Sequence, residues 1–414
     1  MTKLELDDIT SARERIARVI PVTPLVEALA LRDRLPGPLH IKLESLQRTG
    51  SFKDRGALNR LLDLTAAERK RGVVTASAGN HAQAVAYHGA RLGVPVQVVM
   101  PEHTPLIKVS NTRRFGAGVH FHGATLSESM LEATRMAAEN EYVFVHAFDD
   151  RRVIAGQGTI GLELLEQRPD LTAVVVPIGG GGLISGIAIA LKEQKPELRI
   201  FGVEAAVAAS ALASRRAGKV VKIESQETIA DGIAVKQIGE LTYPIIERYV
   251  DDIVSVSEEE IAGAVHVLLE NEKLVAEGAG AVALAAILAQ RIPLRPSDVT
   301  AMILSGGNID VNLLERIVDR GLVTEGRLVQ LTVTVPDRPG NLARLTAIVA
   351  AAGANVLDVR HQRAYADISV RDVEIVLQLE TRGRDHVASI IEKLEAGEMQ
   401  VREEISPGPM QEAR

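Results

Sequence analysis

Residues 173–183 read Ala-Val-Val-Val-Pro-Ile-Gly-Gly-Gly-Gly-Leu, and this stretch decides the fold. The short apolar run 173–177 has the length of a buried strand, and the segment 183–194 beyond the glycines has helical periodicity. Glycine lacks a Cβ. The backbone of Gly179, Gly180, Gly181 and Gly182 can therefore close around a ligand, and N–H groups at a helix N-terminus favour a phosphate. A flexible turn between strand and helix is the other reading of the same four residues.

The strand-then-helix texture extends in both directions. Strands are expected at 38–44, 72–76, 95–100, 142–146, 173–177, 199–203 and 300–304. Helices are expected at 54–66, 80–92, 107–116, 126–139, 157–168, 183–194, 258–271 and 278–290. Such alternation is that of an α/β protein with a largely parallel sheet. Past Gly321 the texture changes. Residues 328–336 (LVQLTVTVP) alternate, DRPGN makes a turn, and the following amphipathic helix stops at Gly353. Strands at 355–361 and 370–380, a helix at 384–395 and a strand at 398–403 complete a ferredoxin-like βαββαβ module. The expected organisation is one region over 1–322 with a smaller subdomain of about 49–150 inserted in it, a linker at 323–327, the second module at 328–404 and a disordered tail at 405–414.

Composition narrows the function classes. A chain of 414 residues exceeds a single core, and its 46% hydrophobic and 24% charged content is that of a globular protein. No apolar run is long enough to span a bilayer. A net charge of −7 without a Lys/Arg cluster opposes a nucleic-acid or anionic-membrane surface, which needs a positive field. The absence of cysteine excludes disulfides, a thiol nucleophile and thiolate-bound metal. The acidic, amphipathic first twenty residues lack the features of a secretory signal. A soluble, cytoplasmic, small-molecule enzyme is the expectation.

Three further motifs sit where strands hand over to helices. Ser51-Phe52-Lys53-Asp54-Arg55-Gly56 places an amine there, readable as a Schiff-base lysine or as a solvated cation. Ser77-Ala78-Gly79-Asn80-His81 opens a helix with N–H groups and a hydroxyl that can hold a carboxylate, or that merely cap the helix. Ser305-Gly306-Gly307-Asn308 ends a strand at the edge where α/β proteins bind ligands, although a serine before two glycines also makes a simple turn.

Taken in order, SFKDRGA, SAGNHAQA, GGGGL and SGGN resemble the fold-type II pyridoxal 5′-phosphate (PLP) enzymes, and among them the threonine ammonia-lyases (threonine dehydratases), over residues 10–322. The resemblance implies a tryptophan synthase β-like fold with two parallel-sheet subdomains and PLP as cofactor. It implies that Lys53 holds the cofactor as an imine and then takes the substrate Cα proton, with Phe52 against the ring and Asn80 on the ring hydroxyl. Gly179 to Gly182 and Leu183 would hold the phosphate, Ser305 would face the ring nitrogen, and Gly232 and Glu277 would line the ring. Ser77, Gly79 and His81 would take the substrate carboxylate. A neutral hydroxyl at Ser305 does not force the ring nitrogen to stay protonated, which favours elimination over transamination.

Related racemases carry a second serine where this chain has Ala78, so a one-faced lyase is favoured. L-Threonine is the expected substrate, giving 2-oxobutanoate and ammonia, with L-serine giving pyruvate. A serine dehydratase or racemase, and a non-catalytic PLP-bound amino-acid sensor, are the alternatives. No metal is expected. Glu204 matches the first ligand of a cation site known in some relatives, but Ser210 stands where an aspartate is needed and Ala208 offers only its carbonyl. His120 and His122 share one side of a strand without a third ligand nearby.

The segment 328–404, with Pro336-Asp337-Arg338-Pro339-Gly340-Asn341-Leu342, resembles the ACT domains, which sense amino acids. An effector such as isoleucine or valine is expected around Asp337, Gly340, Asn341 and Asn355. Pairing of such modules implies a homo-oligomer, a dimer or tetramer.

Overall fold

The computed structural model describes residues 4–363 and 369–404, so the tail expected at 405–414 lies outside the described residues. The chain forms two compact units, Met1–Ile309 and Asp310–Arg414.

The first unit contains two sheets. The larger has strand order 25–27, 39–43, 300–304, 173–177, 199–205, 252–256, and every neighbouring pair is parallel except the first. The smaller is all parallel, in the order 118–121, 96–100, 73–76, 143–144. Strands Leu39–Leu43, Ala173–Pro177 and Thr300–Leu304 are buried along their whole length, as strands covered on both faces must be. Each sheet has its own apolar core, around Val174, Ile187 and Ile303 in the larger and Val73, Val85 and Val98 in the smaller. No described helix is long and apolar enough to cross a membrane.

Several elements depart from the sequence expectations. The helix expected at 157–168 spans Arg151–Gln167 and is capped by Asp150, whose Oδ1 accepts from Arg152 N at 2.7 Å and Val153 N at 3.0 Å. Its early turns carry Gly156 and Gly158, which lower helix propensity, but close packing requires them. A Cβ at Gly156 would lie 2.7 Å from Arg55 O, and one at Gly158 would lie 2.8 Å from Gly186 O. The expected strand 142–146 shrinks to Val143–Phe144, the two residues that pair with Val73 and Val74. The helix expected at 54–66 is two, Lys53–Leu62 and Ala66–Arg71, the second begun by a capping box between Thr65 and Glu68. The N-terminal segment forms a helix, Leu6–Ile16, burying Ile9, Ala12 and Ile16.

A buried ion network lies under the Lys53–Leu62 helix. Arg55, 1% exposed, donates from Nε and Nη2 to Glu44 at 2.8 Å each, and from Nη1 and Nη2 to Glu163 at 2.6 and 2.9 Å. Lys42, fully buried, donates to Glu163 Oε2 at 2.6 Å, Gln167 Oε1 at 2.8 Å and Thr23 O at 2.8 Å. Two cations thus face two carboxylates, and the network ties strand 39–43 and the helices 53–62 and 151–167 into one block.

The second unit begins with the helix Val311–Thr324, capped by Asp310, which runs into the segment expected as a linker. An antiparallel sheet follows, in the order 355–362, 372–380, 328–336, 400–403, with helices Asn341–Ala352 and Arg384–Ala396 packed on a core around Leu331, Leu345, Leu377 and Ile390.

Breaking a buried pair strands its partners, so Arg55→Ala should lose about 3–5 kcal/mol of unfolding free energy in urea titration. A loss below about 1 kcal/mol would mean that the network does not brace the block.

Candidate active site

The lysine turn and the serine turn are stitched together by their backbones. Ser51 pairs with Gly306 in an antiparallel bridge, Phe52 N donates to Ser305 O at 3.0 Å, and Glu277 N donates to Gly306 O at 3.1 Å. A Cβ on Gly306 would stand 2.3 Å from Glu277 Oε1 and 3.2 Å from Ser51 Cβ, so a larger residue would have to displace the Glu277 carboxyl. Asp54, next to Lys53, is fully buried and accepts from Thr49 N at 2.8 Å, Thr49 Oγ1 at 2.9 Å and His88 Nε2 at 2.9 Å.

Lys53 Nζ donates to Ala147 O at 2.8 Å and lies 5.0 Å from the Phe52 ring centroid. Burial lowers its amine to about 8, with the Glu277 carboxyl opposing the shift. Glu277 moves the other way. Burial, with Asp231 as a nearby like charge, raises it to about 7.

The glycine loop closes on the same backbone segment. A Cβ at Gly180 would lie 2.2 Å from the Phe148 ring, and one at Gly182 would lie 2.8 Å from Phe148 O. Gly181 has φ +91°, a left-handed conformation natural to glycine, and Thr242 Oγ1 donates to Gly180 O at 2.7 Å. Gly179 backs onto Ile233, with a Cβ there 3.0 Å from Ile233 Cα. The helix Gly182–Lys192 starts at once, and its first N–H groups have no partner within the helix. Leu183 is buried in the core on which Phe52 packs. This is a cradle for a small anion.

The segment 145–150 (Val-His-Ala-Phe-Asp-Asp) joins these parts, and the sequence reading missed it. Val145 O accepts from Thr75 Oγ1 at 2.8 Å and from His81 Nε2 at 3.1 Å, while Ala147 O holds Lys53 and Phe148 underlies Gly180. Asp149 accepts from Glu240 N and Leu241 N at 3.1 and 2.9 Å. The signal was present as the Asp-Asp pair ahead of a helix, a cap pattern that the glycine-rich stretch beyond it obscured.

At the third motif Gly79 N donates to Ser77 Oγ at 3.2 Å, and a Cβ on Gly79 would meet open space. Asn80 Nδ2 donates to Glu277 Oε1 at 2.8 Å, which brings the helix Asn80–Leu92 to the ring-lining candidates. Gly232 sits there too, a Cβ on it falling 3.1 Å from Ala279 Cβ. Ser305 is buried, its Oγ 3.4 Å from Ala279 O, and the buried Ser51 Oγ has no hydrogen-bond partner among the described residues.

Two expected placements are narrowed by the structure. The ring of His81 is buried and engaged with Val145 O, and burial and the Lys53 charge lower it to about 3, so it cannot serve as a charged carboxylate ligand. Only its backbone N–H is available for that. In the second unit, Gly340 and Asn341 lie beside Asp337, which pairs with Arg363 at 3.0 Å, but Asn355 does not join them. Asn355 and Leu328 both lie opposite Glu380, whereas Pro336, next to Asp337, lies opposite Asp372. Eight strand residues, roughly 26 Å, separate the two ends within one chain.

Glu204 is occupied otherwise than as a ligand. Its two oxygens accept from Ala211 N and Leu212 N at 2.8 Å each, capping the helix Ser210–Ala217. His120 Nε2 pairs with Gln97 Oε1 at 2.7 Å on an exposed strand.

Residues 16–306 match the family model of pyridoxal-phosphate dependent enzymes, and residues 329–396 match the ACT domain. An L-threonine ammonia-lyase of Thermotoga maritima is 47% identical over 399 residues, 96% of this chain and 99% of the relative. Among solved structures, threonine deaminase isoform 2 of Solanum lycopersicum superposes with a TM-score of 0.72 at 38% identity, covering 75% of this chain and 86% of that one. Maize serine racemase gives 0.73 at 34%, covering 78% and 100%. The chain belongs to the pyridoxal-phosphate dependent enzymes. Within them it is similar along nearly its whole length to the threonine ammonia-lyases, the ACT domain included. Its cofactor is PLP, and its second unit carries an ACT domain.

The cradle, the desolvated lysine and the unpartnered Ser51 Oγ suit that cofactor. Neutral Lys53 predominates above pH 8 and the protonated form below it, so covalent attachment of PLP to cofactor-free protein should accelerate up to about pH 8 and then level off, read by absorbance in stopped flow. A rate still climbing beyond about pH 10 would mean an ordinary lysine.

Proposed function

We propose that this chain is a threonine ammonia-lyase, converting L-threonine to 2-oxobutanoate and ammonia and, secondarily, L-serine to pyruvate. The observation that carries the reading is the meeting of a desolvated Lys53 amine and a closed glycine loop on one backbone segment, Ala147–Phe148.

The backbone N–H groups of Gly179 to Gly182 and Leu183 hold the phosphate at a helix N-terminus. Bound PLP withdraws electrons from the substrate Cα. Lys53, whose amine burial lowers to about 8, removes the Cα proton in its neutral form, and the Ser77 hydroxyl with the N–H groups of Gly79 and His81 fixes the carboxylate so that the proton faces it. Asn80 donates to the ring oxygen, and Ser305 offers a neutral hydroxyl at the ring nitrogen. Loss of the proton and the β-hydroxyl releases water, and the freed enamine tautomerises and takes up water to give the 2-oxo acid and ammonia. Ala78 provides no hydroxyl to protonate the opposite face, which separates this reading from a racemase.

Threonine and serine differ by one methyl group, worth about 1–3 kcal/mol of discrimination. The ACT module takes an amino acid such as isoleucine or valine near Asp337, Gly340 and Asn341, in a cytoplasmic homo-oligomer, a dimer or tetramer.

In a 2-oxo acid release assay the purified protein should act on L-threonine with a higher kcat/KM than on L-serine, and should respond to added isoleucine or valine. Lys53→Ala should lose at least about a hundredfold in rate. Accumulation of D-serine in a chiral assay, or a Lys53→Ala variant with full activity, would refute the lyase reading.

A further inference from the structure

Asn308 closes the SGGN motif, yet none of the roles above uses it. Its Nδ2 donates to Thr49 O at 2.7 Å and to Asn80 Oδ1 at 2.8 Å. A primary amide has two donor hydrogens on that nitrogen, and both are taken. Its Oδ1 packs on Gly50, where a Cβ would stand 2.5 Å away, and Gly50 has φ +79°. Gly307 N donates back to Gly50 O at 3.0 Å. Asn308 thus spans the lysine turn, the serine turn and the helix that starts at Asn80.

The direction of this chain of hydrogen bonds follows from its fixed end. Thr49 O is a backbone carbonyl and can only accept, so Asn308 must turn its NH2 toward it. The second hydrogen of that NH2 then meets Asn80, which must present Oδ1. The Asn80 NH2 is left facing Glu277 Oε1, to which it donates at 2.8 Å, and that nitrogen keeps one further hydrogen to give. We infer that Asn308 is a positioning residue that fixes which end of the Asn80 amide faces the cofactor, so that Asn80 always offers an N–H there. Thr49 in turn is held by the buried Asp54, so the orientation of Asn80 is referenced to the turn that carries Lys53. The inference rests on the reading that Asn80 donates to the cofactor's ring oxygen.

The test is a double-mutant cycle read on the cofactor itself. Asn308→Asp is nearly isosteric but has no N–H to give either Thr49 O or Asn80 Oδ1, whereas Asn308→Ala only empties the site. Three measurements apply to each variant: PLP affinity of the cofactor-free protein by fluorescence titration, the balance of the bound cofactor's absorption bands, and kcat and KM on L-threonine. Asn308→Ala and Asn308→Asp should each weaken PLP binding about three- to tenfold and shift the band balance, with the aspartate variant the worse. They should lower kcat more than they change KM. In an Asn80→Ala background the Asn308 substitutions should add almost nothing, because their effect passes through Asn80. Additive losses, or an Asn308→Asp protein with wild-type bands and affinity, would overturn the inference. If Asn80→Ala alone leaves affinity and bands unchanged, the contact of Asn80 with the cofactor is itself wrong and the inference falls with it. Loss of threonine turnover with the spectral coupling intact would instead fault the substrate reading and uphold the role of Asn308.

Discussion

The guanidinium of Arg55, buried between the carboxylates of Glu44 and Glu163, is the interaction on which the site rests. It lies two residues beyond Lys53 and joins the strand before the lysine turn to the long helix after the segment 145–150. Ion pairs this deep contribute little net stability, since desolvation opposes attraction. They do penalise every other arrangement, because a displaced Arg55 would leave two buried carboxylates unmatched. What the network supplies is placement.

That placement lets opposing tendencies coexist in the cleft. Lys53 and Glu277 are both removed from water, which disfavours the charged form of each, so the amine is lowered and the carboxyl raised. Their attraction moderates both shifts without cancelling them. The result is an amine able to take a proton near neutral pH, beside a carboxyl that Asn80 fixes in place. Across the cleft, Lys108 and Asp231 form an ion pair, bringing the helix Leu106–Arg113 against the Gly232 segment.

Much of this was legible in the sequence, for identifiable reasons. Largely apolar strands followed two residues later by glycine, such as 173–177 and 300–304, have few alternatives to a buried parallel sheet, and the four motifs sit at strand ends where such sheets bind ligands. Lys53, Asn80, the glycine loop and Ser305 were accessible because each is a local pattern. The role of 145–150 was not, because its backbone carbonyls do the holding and any residue could provide them. Asn308 was quoted only as part of a turn, since its value depends on Thr49 and Asn80, hundreds of residues away in the chain. The first turns of the helix 151–167 are hidden in the sequence by glycines whose purpose appears only when Arg55 O and Gly186 O are seen against them. His81 invites a side-chain ligand role by its place beside a ligand loop, but burial of its ring against Val145 O leaves only its backbone N–H for the carboxylate. Asn355 was grouped with Asp337 by motif, while the strand register sets them at opposite ends of a sheet.

The central claim, that Lys53 is the residue joined to PLP, can be read directly by borohydride reduction of the cofactor-loaded protein followed by peptide mass mapping. The account predicts one reduced pyridoxyl adduct, on Lys53. An adduct on another lysine, or no adduct at all, would contradict it.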